Sequence, residues 1–293
     1  MNFEEQLQYY TQLVNRELDN LLKVSKSLYS KVEEAIKYSV SAGGKRLRPV
    51  LTLSVCKALG GNEAVALPFS CAVECIHASS LIHDDMPCMD DDDVRRGKPS
   101  CHIAFGEDLA LLAGDGLLLK AFEILASAVS YGATPKMVAD ATRILSSLSG
   151  VDGMVGGQTI DLCFEGNMDP MSLEQMHLLK TGALIQAACQ LGGVAAGADE
   201  QTQMSLKRYA QSLGLAFQIC DDLLDVEGDE SALGKPVGSD ARQQKTTYVS
   251  LYGLEQAREL ARMHTVQAER ELEHFEDSSF LLQLTRYLLK RDR

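Results

Sequence analysis

An all-α fold is what this chain of 293 residues predicts. Three observations carry that expectation. Apolar residues recur at helical spacing nearly throughout, no segment alternates apolar and polar residues, and the breaks gather in short Gly, Asn and Pro runs. Phe3, Leu7, Tyr10, Leu13, Leu18, Leu21 and Leu22 trace the first stripe. Segments 63–83, 107–130, 134–150, 171–197, 201–226 and 240–272 read as further helices, rich in the good helix formers Ala, Leu, Gln and Glu. Between them lie Gly60-Gly61-Asn62, Tyr131 to Pro135, Gly166 to Pro170 and Gly228 to Gly238, and Asp169-Pro170 has the form of a helix start. Segment 110–119 is apolar on more than one face, as in a central helix or the wall of an apolar cavity. No low-complexity linker divides the chain, so residues 1–293 are expected to form a single domain of about ten or more helices.

Composition narrows the function. The formal net charge is −13, which argues against general nucleic-acid binding, since that needs a basic footprint. The eight cysteines form no C-x-x-C pair and no zinc-ligand spacing. Buried free thiols in a reducing compartment are the expectation. No run reads as a membrane helix of about 18 apolar residues, and the amphipathic, acidic N-terminus is unlike a signal peptide. A soluble, cytoplasmic protein without a membrane anchor is expected.

Much of the acidity sits in two short stretches, Asp84-Asp85 with Asp90 to Asp93, and Asp221-Asp222 with Asp225. Each follows an apolar run. Carboxylates this dense repel one another unless a cation sits among them, and oxygen-only ligand sets favour hard divalent ions such as magnesium. In the second stretch Asp221 and Asp225 are i and i+4 and share a helix face, with Asp222 about 100° round. The first stretch lacks that spacing, because position 88 is Cys. Pro87 has no N–H and disfavours helix at Met86, so an interrupted helix end is predicted there. Asp91 to Asp93, after the break, read as solvent-facing. Neither stretch has the ligand spacing or glycine of a calcium loop.

Cations accompany both stretches. Arg95-Arg96-Gly97-Lys98 follows the first and Gly234-Lys235 the second, with Gly43-Gly44-Lys45-Arg46-Leu47-Arg48-Pro49 upstream and His177 to Gly182 between. Any one of these is an ordinary surface feature. Together they suit a substrate that chelates metal while carrying several negative charges, as diphosphate does.

These motifs, with Gly156-Gly157-Gln158, Asp161 and Phe217-Gln218, resemble the short-chain trans-polyprenyl diphosphate synthases, the farnesyl and geranylgeranyl diphosphate synthase family. They run in the expected order from residue 43 to 248. The resemblance implies an isoprenoid-synthase helical bundle around an apolar cavity and a head-to-tail condensation. An allylic diphosphate would ionise to an allylic cation, the double bond of isopentenyl diphosphate would attack it, and a proton would leave. It also implies three magnesium ions, a homodimer and a set of roles. Asp84, Asp85, Asp90, Asp221, Asp222 and Asp225 would hold metal. Arg95, Lys180 and Lys235 would grip the allylic diphosphate, and Lys45, Arg48, His77 and Arg96 the isopentenyl diphosphate. Thr181 and Gln218 would face the developing cation. His83 is read as a packed residue and not as a base.

In the family, bulk at the fourth and fifth positions before the first Asp stops elongation. Here Ser80 and Ser79 stand there, which leans the product toward twenty carbons over fifteen. The stretch Gly238-Ser239-Asp240 departs slightly from the family pattern, while Asp240 and Lys245 are kept. A class I terpene cyclase would lack the second aspartate motif, and a non-catalytic partner subunit would have lost acids from one stretch. Both stretches are intact.

Overall fold

The computed structural model describes residues 1–164, 166–227 and 245–289. The backbone forms two compact units, Met1–Arg143 with Val194–Gly197, and Ile144–Gly193 with Ala198–Arg293. Both are helical, as expected. Lys235 and Asp240 lie outside the described residues, and so does the start of segment 240–272.

The first unit holds α1 (Phe3–Leu21), α2 (Ser30–Val40), α3 (Leu47–Ala58), α4 (Glu63–Asp84), α5 (Cys101–Phe105) and α6 (Glu107–Ser127), and it contains the beginning of α7 (Pro135–Ser149). α1 is set by a capping box, in which Asn2 accepts the Glu5 N–H at 2.9 Å and Glu5 reaches back to the Asn2 N–H. α4 is apolar all round and buried from Val65 to Ile82 against α3 and α6. Its composition would suit a membrane span, contrary to the expectation that no segment would, but 83% of its most apolar window is buried inside the protein. α6 buries Ala110, Ala113, Gly114, Leu117 and Ala121 and exposes Leu111, Leu112, Leu118 and Leu119. Its two-faced apolarity is therefore one packed face and one open one.

The predicted interruption falls where Pro87 requires it. α4 ends at Asp84, and the chain folds back so that the Asp90 N–H donates to the Asp84 carbonyl at 2.9 Å. A two-stranded hairpin, β1 (Val94–Arg95) with β2 (Lys98–Pro99), follows. No strand is expected from the sequence here, because two-residue strands carry no apolar–polar alternation. The turn between them places Arg96 (φ 54°) and Gly97 (φ 74°) in the left-handed region, as a two-residue primed turn demands.

The second unit holds α8 (Met154–Phe164), α9 (Pro170–His177), most of α10 (Ala183–Ala196), α11 (Glu200–Glu227), α12 (Tyr248–Tyr252), α13 (Leu254–Glu271) and α14 (Ser279–Leu289). Asp169 caps α9 by accepting the Ser172 N–H at 2.9 Å, with Pro170 in the first turn. The helix expected over 171–197 is interrupted, since Leu178–Gly182 is a π-turn. Such turns hold one extra residue and recur at functional sites. Segment 240–272 is likewise broken at Gly253 (φ 77°).

Candidate active site

In the first unit an anion-ready nest forms around His77. Its pKa is pushed well below the ordinary value by burial, then by Arg48, Arg96, Arg46 and Arg95. A neutral imidazole among four guanidinium groups is the result. Two of these cations are already matched. Arg46 donates to Glu74 Oε1 at 2.7 Å, to Asn15 at 2.9 Å and to the Val40 carbonyl at 2.5 Å, and both members of the ion pair are buried. Arg95 donates to Asp85 Oδ1 at 2.8 Å and to Asp92 Oδ2 at 3.0 Å. Arg48 and Arg96 have no carboxylate partner among the described residues. Burial pulls Arg48 down to about 10, with Arg96 adding to the effect and Glu74 opposing it, and its buried Nε has no hydrogen-bond partner. Such a donor wants an acceptor.

Backbone strain marks the same places. Among the described residues the positive-φ positions other than glycine are Arg46, Asp91 and Arg96, all in the predicted motifs. Arg96 donates to the Gly43 carbonyl, and its guanidinium lies against Gly44. A Cβ on Gly44 would stand 2.6 Å from Arg96 Cζ, at φ +118°. On the resemblance's assignment of Arg96 to isopentenyl diphosphate, Gly44→Ala is expected to displace Arg96 and to raise KM for that substrate about tenfold, with the allylic KM little changed. Steady-state kinetics in both substrates checks this. Lys45 is exposed beside the nest motif.

Asp85 is buried, and burial raises its pKa while Arg95 opposes the rise. Asp84 is half-buried and Asp90 exposed. Asp91 to Asp93 are exposed as expected, but Asp92 also holds Arg95. His83, near the end of α4, packs against α6, with Nε2 3.3 Å from the Leu111 carbonyl and 3.8 Å from Asp115. That is a packed position, in keeping with its reading. Ser79 is buried and donates to the Gly114 carbonyl on α6 at 2.7 Å, whereas Ser80 turns back to the His77 carbonyl at 2.9 Å.

In the second unit, Asp161, His177, Lys180, Thr181, Gln218, Asp221, Asp222 and Lys245 to Thr247 line a cavity of about 200 Å³. Gly157 makes this possible. A Cβ there would sit 2.1 Å from the Lys180 nitrogen, so only glycine lets α8 lie against the π-turn. Asp161 on α8 then reaches Lys180 Nζ at 2.5 Å. An incoming anion would compete with Asp161 for this ammonium group. Asp222 and Asp225 are buried, and Asp222 Oδ2 accepts the Tyr248 N–H at 2.7 Å. Asp225 does not line the cavity, although its i, i+4 spacing put it on the face of Asp221. Lys245 does line it. The family pattern keeps Lys245 in sequence without giving it a role in the site.

Burial holds the His177 pKa down to about 4 from 6.5, with Asp161 opposing the shift and Lys180 assisting it. The unfolded chain thus binds a proton that the folded chain refuses between these values. The associated stability is complete above pH 6.5 and is lost as pH falls toward 4. Denaturant midpoints are expected to drop across that window and to drop less in His177→Leu.

Among the described residues no three His, Cys, Asp or Glu side chains form a ready metal cage. Asp221 and Asp222 line the cavity with carboxylate oxygens, the donor type that magnesium takes one or two at a time together with substrate phosphate oxygens.

The chain matches the family model described as polyprenyl synthetase over residues 29–280. It is 42% identical over 283 residues to a chloroplastic geranylgeranyl pyrophosphate synthase of Catharanthus roseus, covering 95% of this chain and 78% of that one. To the large subunit 1 of a chloroplastic heterodimeric geranylgeranyl pyrophosphate synthase of Arabidopsis thaliana it is 44% identical over 287 residues, covering 96% and 77%. A solved FPP/GFPP synthase from Zymomonas mobilis superposes with a TM-score of 0.88 at 38% identity, over 98% of this chain and 99% of that one.

Proposed function

Because the chain belongs to the polyprenyl synthetase family, we propose how its own residues divide the work and what product it releases. The chain is a trans-prenyltransferase. It condenses isopentenyl diphosphate with allylic diphosphates to make farnesyl or geranylgeranyl diphosphate. The observation that best supports the division is the presence of two anion-ready sites of different make. One is the nest of Arg48, Arg96 and neutral His77, rich in donors and poor in carboxylate partners. The other is the cavity where Lys180 stands with Asp221.

The nest takes isopentenyl diphosphate, with Lys45 at its edge. It supplies charge without chelating metal, which suits a diphosphate that must stay intact. The allylic diphosphate must leave, and Lys180, Arg95 and Lys235 receive its growing charge. Asp84, Asp90 and Asp221 would hold magnesium, which when bound would supply positive charge to the departing diphosphate. The family resemblance also gave metal to Asp85, Asp222 and Asp225. Asp85 already spends an oxygen on Arg95 and Asp222 on a backbone N–H, while Asp225 is buried. Asp85 therefore serves chiefly to aim Arg95. Thr181 and Gln218 present weak dipoles to the cation, which water would quench.

The product is assigned twenty carbons. Support comes from Ser79 and Ser80, neither of which supplies bulk, and from relatives named for geranylgeranyl products. Ser79→Tyr is expected to shorten the main product by one isoprene unit, read by chromatography of the dephosphorylated alcohols. An unchanged spectrum would move the floor elsewhere. Wild-type product of fifteen carbons would overturn the length assignment. We assign the enzyme to the cytoplasm as a homodimer, for which the exposed leucines of α6 offer an apolar face.

A further inference from the structure

Asp222 stands next to Asp221 but is used differently. It is buried, and its Oδ2 takes the N–H of Tyr248 at 2.7 Å. Tyr248 opens α12, where Thr247 and Ser250 form a reciprocal cap at 3.1 and 2.9 Å. Its ring is stacked on His177 at 5.7 Å and on Tyr252 at 6.1 Å, within an apolar cluster that includes Met176, Ile219 and Ala257. Tyr248 is thus fixed on both its backbone and its ring. Immediately before it, Lys245, Thr246 and Thr247 line the cavity that also holds Lys180 and Asp221. Thr246 adds a second tether by accepting the Met168 N–H at 3.4 Å.

We propose that Asp222 and Tyr248 form a positioning latch, in which the carboxylate–amide bond sets where Lys245 enters the cavity, so that Lys245 and Lys180 act on one diphosphate. The inference rests on reading that cavity as a diphosphate site. It makes Asp222 a positioning residue that acts through Lys245.

The first position of a helix tolerates proline, and Thr247 (φ −127°, ψ 165°) already has the extended backbone that a residue before proline needs. Tyr248→Pro therefore removes the N–H and the ring, while Tyr248→Leu removes only the ring. The readout is the affinity of the full-length protein for inorganic diphosphate with magnesium, by titration calorimetry, beside KM for each substrate. Tyr248→Pro is expected to weaken diphosphate binding about tenfold more than Tyr248→Leu and to raise KM for the allylic substrate alone. Lys245→Ala is expected to cause a similar loss, and adding it to Tyr248→Pro to cost nothing further. If Tyr248→Pro does not fold, Asp222→Ala takes its place in the same cycle. Equal affinities for the Pro and Leu variants, or losses that add, would overturn the latch. A wild-type protein that binds no diphosphate would overturn the reading of the cavity itself, and the latch with it.

Discussion

Asp84→Ala and Asp221→Ala are each expected to lower kcat by about 10³-fold or more at saturating magnesium. The loss comes from charge left unneutralised on the departing diphosphate as the C–O bond breaks. Stability should change far less than turnover, because both carboxylates are only partly buried. The pairing of collapsed turnover with a nearly unchanged Tm is what separates a metal-holding acid from a structural one. Turnover within tenfold of wild type would remove that residue from the metal set.

Glu74→Ala is expected to destabilise the fold by about 3–5 kcal/mol, because it leaves the Arg46 guanidinium buried without its counter-ion. Arg46 is 5% exposed, and its own backbone is held at φ 48°. That conformation persists only while the side-chain bonds to Glu74, Asn15 and the Val40 carbonyl hold it. Lys45 and Arg48 flank it in sequence, so the nest should loosen together with the fold. Urea midpoints measure the first effect. KM for isopentenyl diphosphate, taken below the unfolding range, measures the second. Glu74→Gln keeps an acceptor for Arg46 and should fall between Glu74→Ala and wild type in both. A midpoint shift below about 1 kcal/mol for Glu74→Ala would contradict the account of this pair.

The helical fold was legible because its signal is periodicity, repeated over long segments. The break after Asp84 was legible because proline has a fixed stereochemical cost. The hairpin at Val94 to Pro99 was not, being only two residues wide, nor was the π-turn at Lys180, against which α8 packs through Gly157. Residue types in the acidic and basic motifs gave the chemistry of the site. Division of labour among the aspartates needed coordinates. Spacing paired Asp221 with Asp225, whereas the coordinates show Asp222 and Asp225 buried and Asp222 taking the Tyr248 N–H. Arg46 shows the same limit from the other side. It sits in the basic motif as one cation of three, and only its contact with Glu74 shows that it serves the fold.

The central claim is that two acidic stretches and two kinds of cation group serve one magnesium-dependent condensation of two diphosphates. The most direct measurement is incorporation of labelled isopentenyl diphosphate onto dimethylallyl, geranyl and farnesyl diphosphates, with magnesium and with excess chelator. The account predicts incorporation that requires magnesium and ends mainly at twenty carbons. Absence of incorporation with every primer, or incorporation indifferent to the chelator, would contradict it.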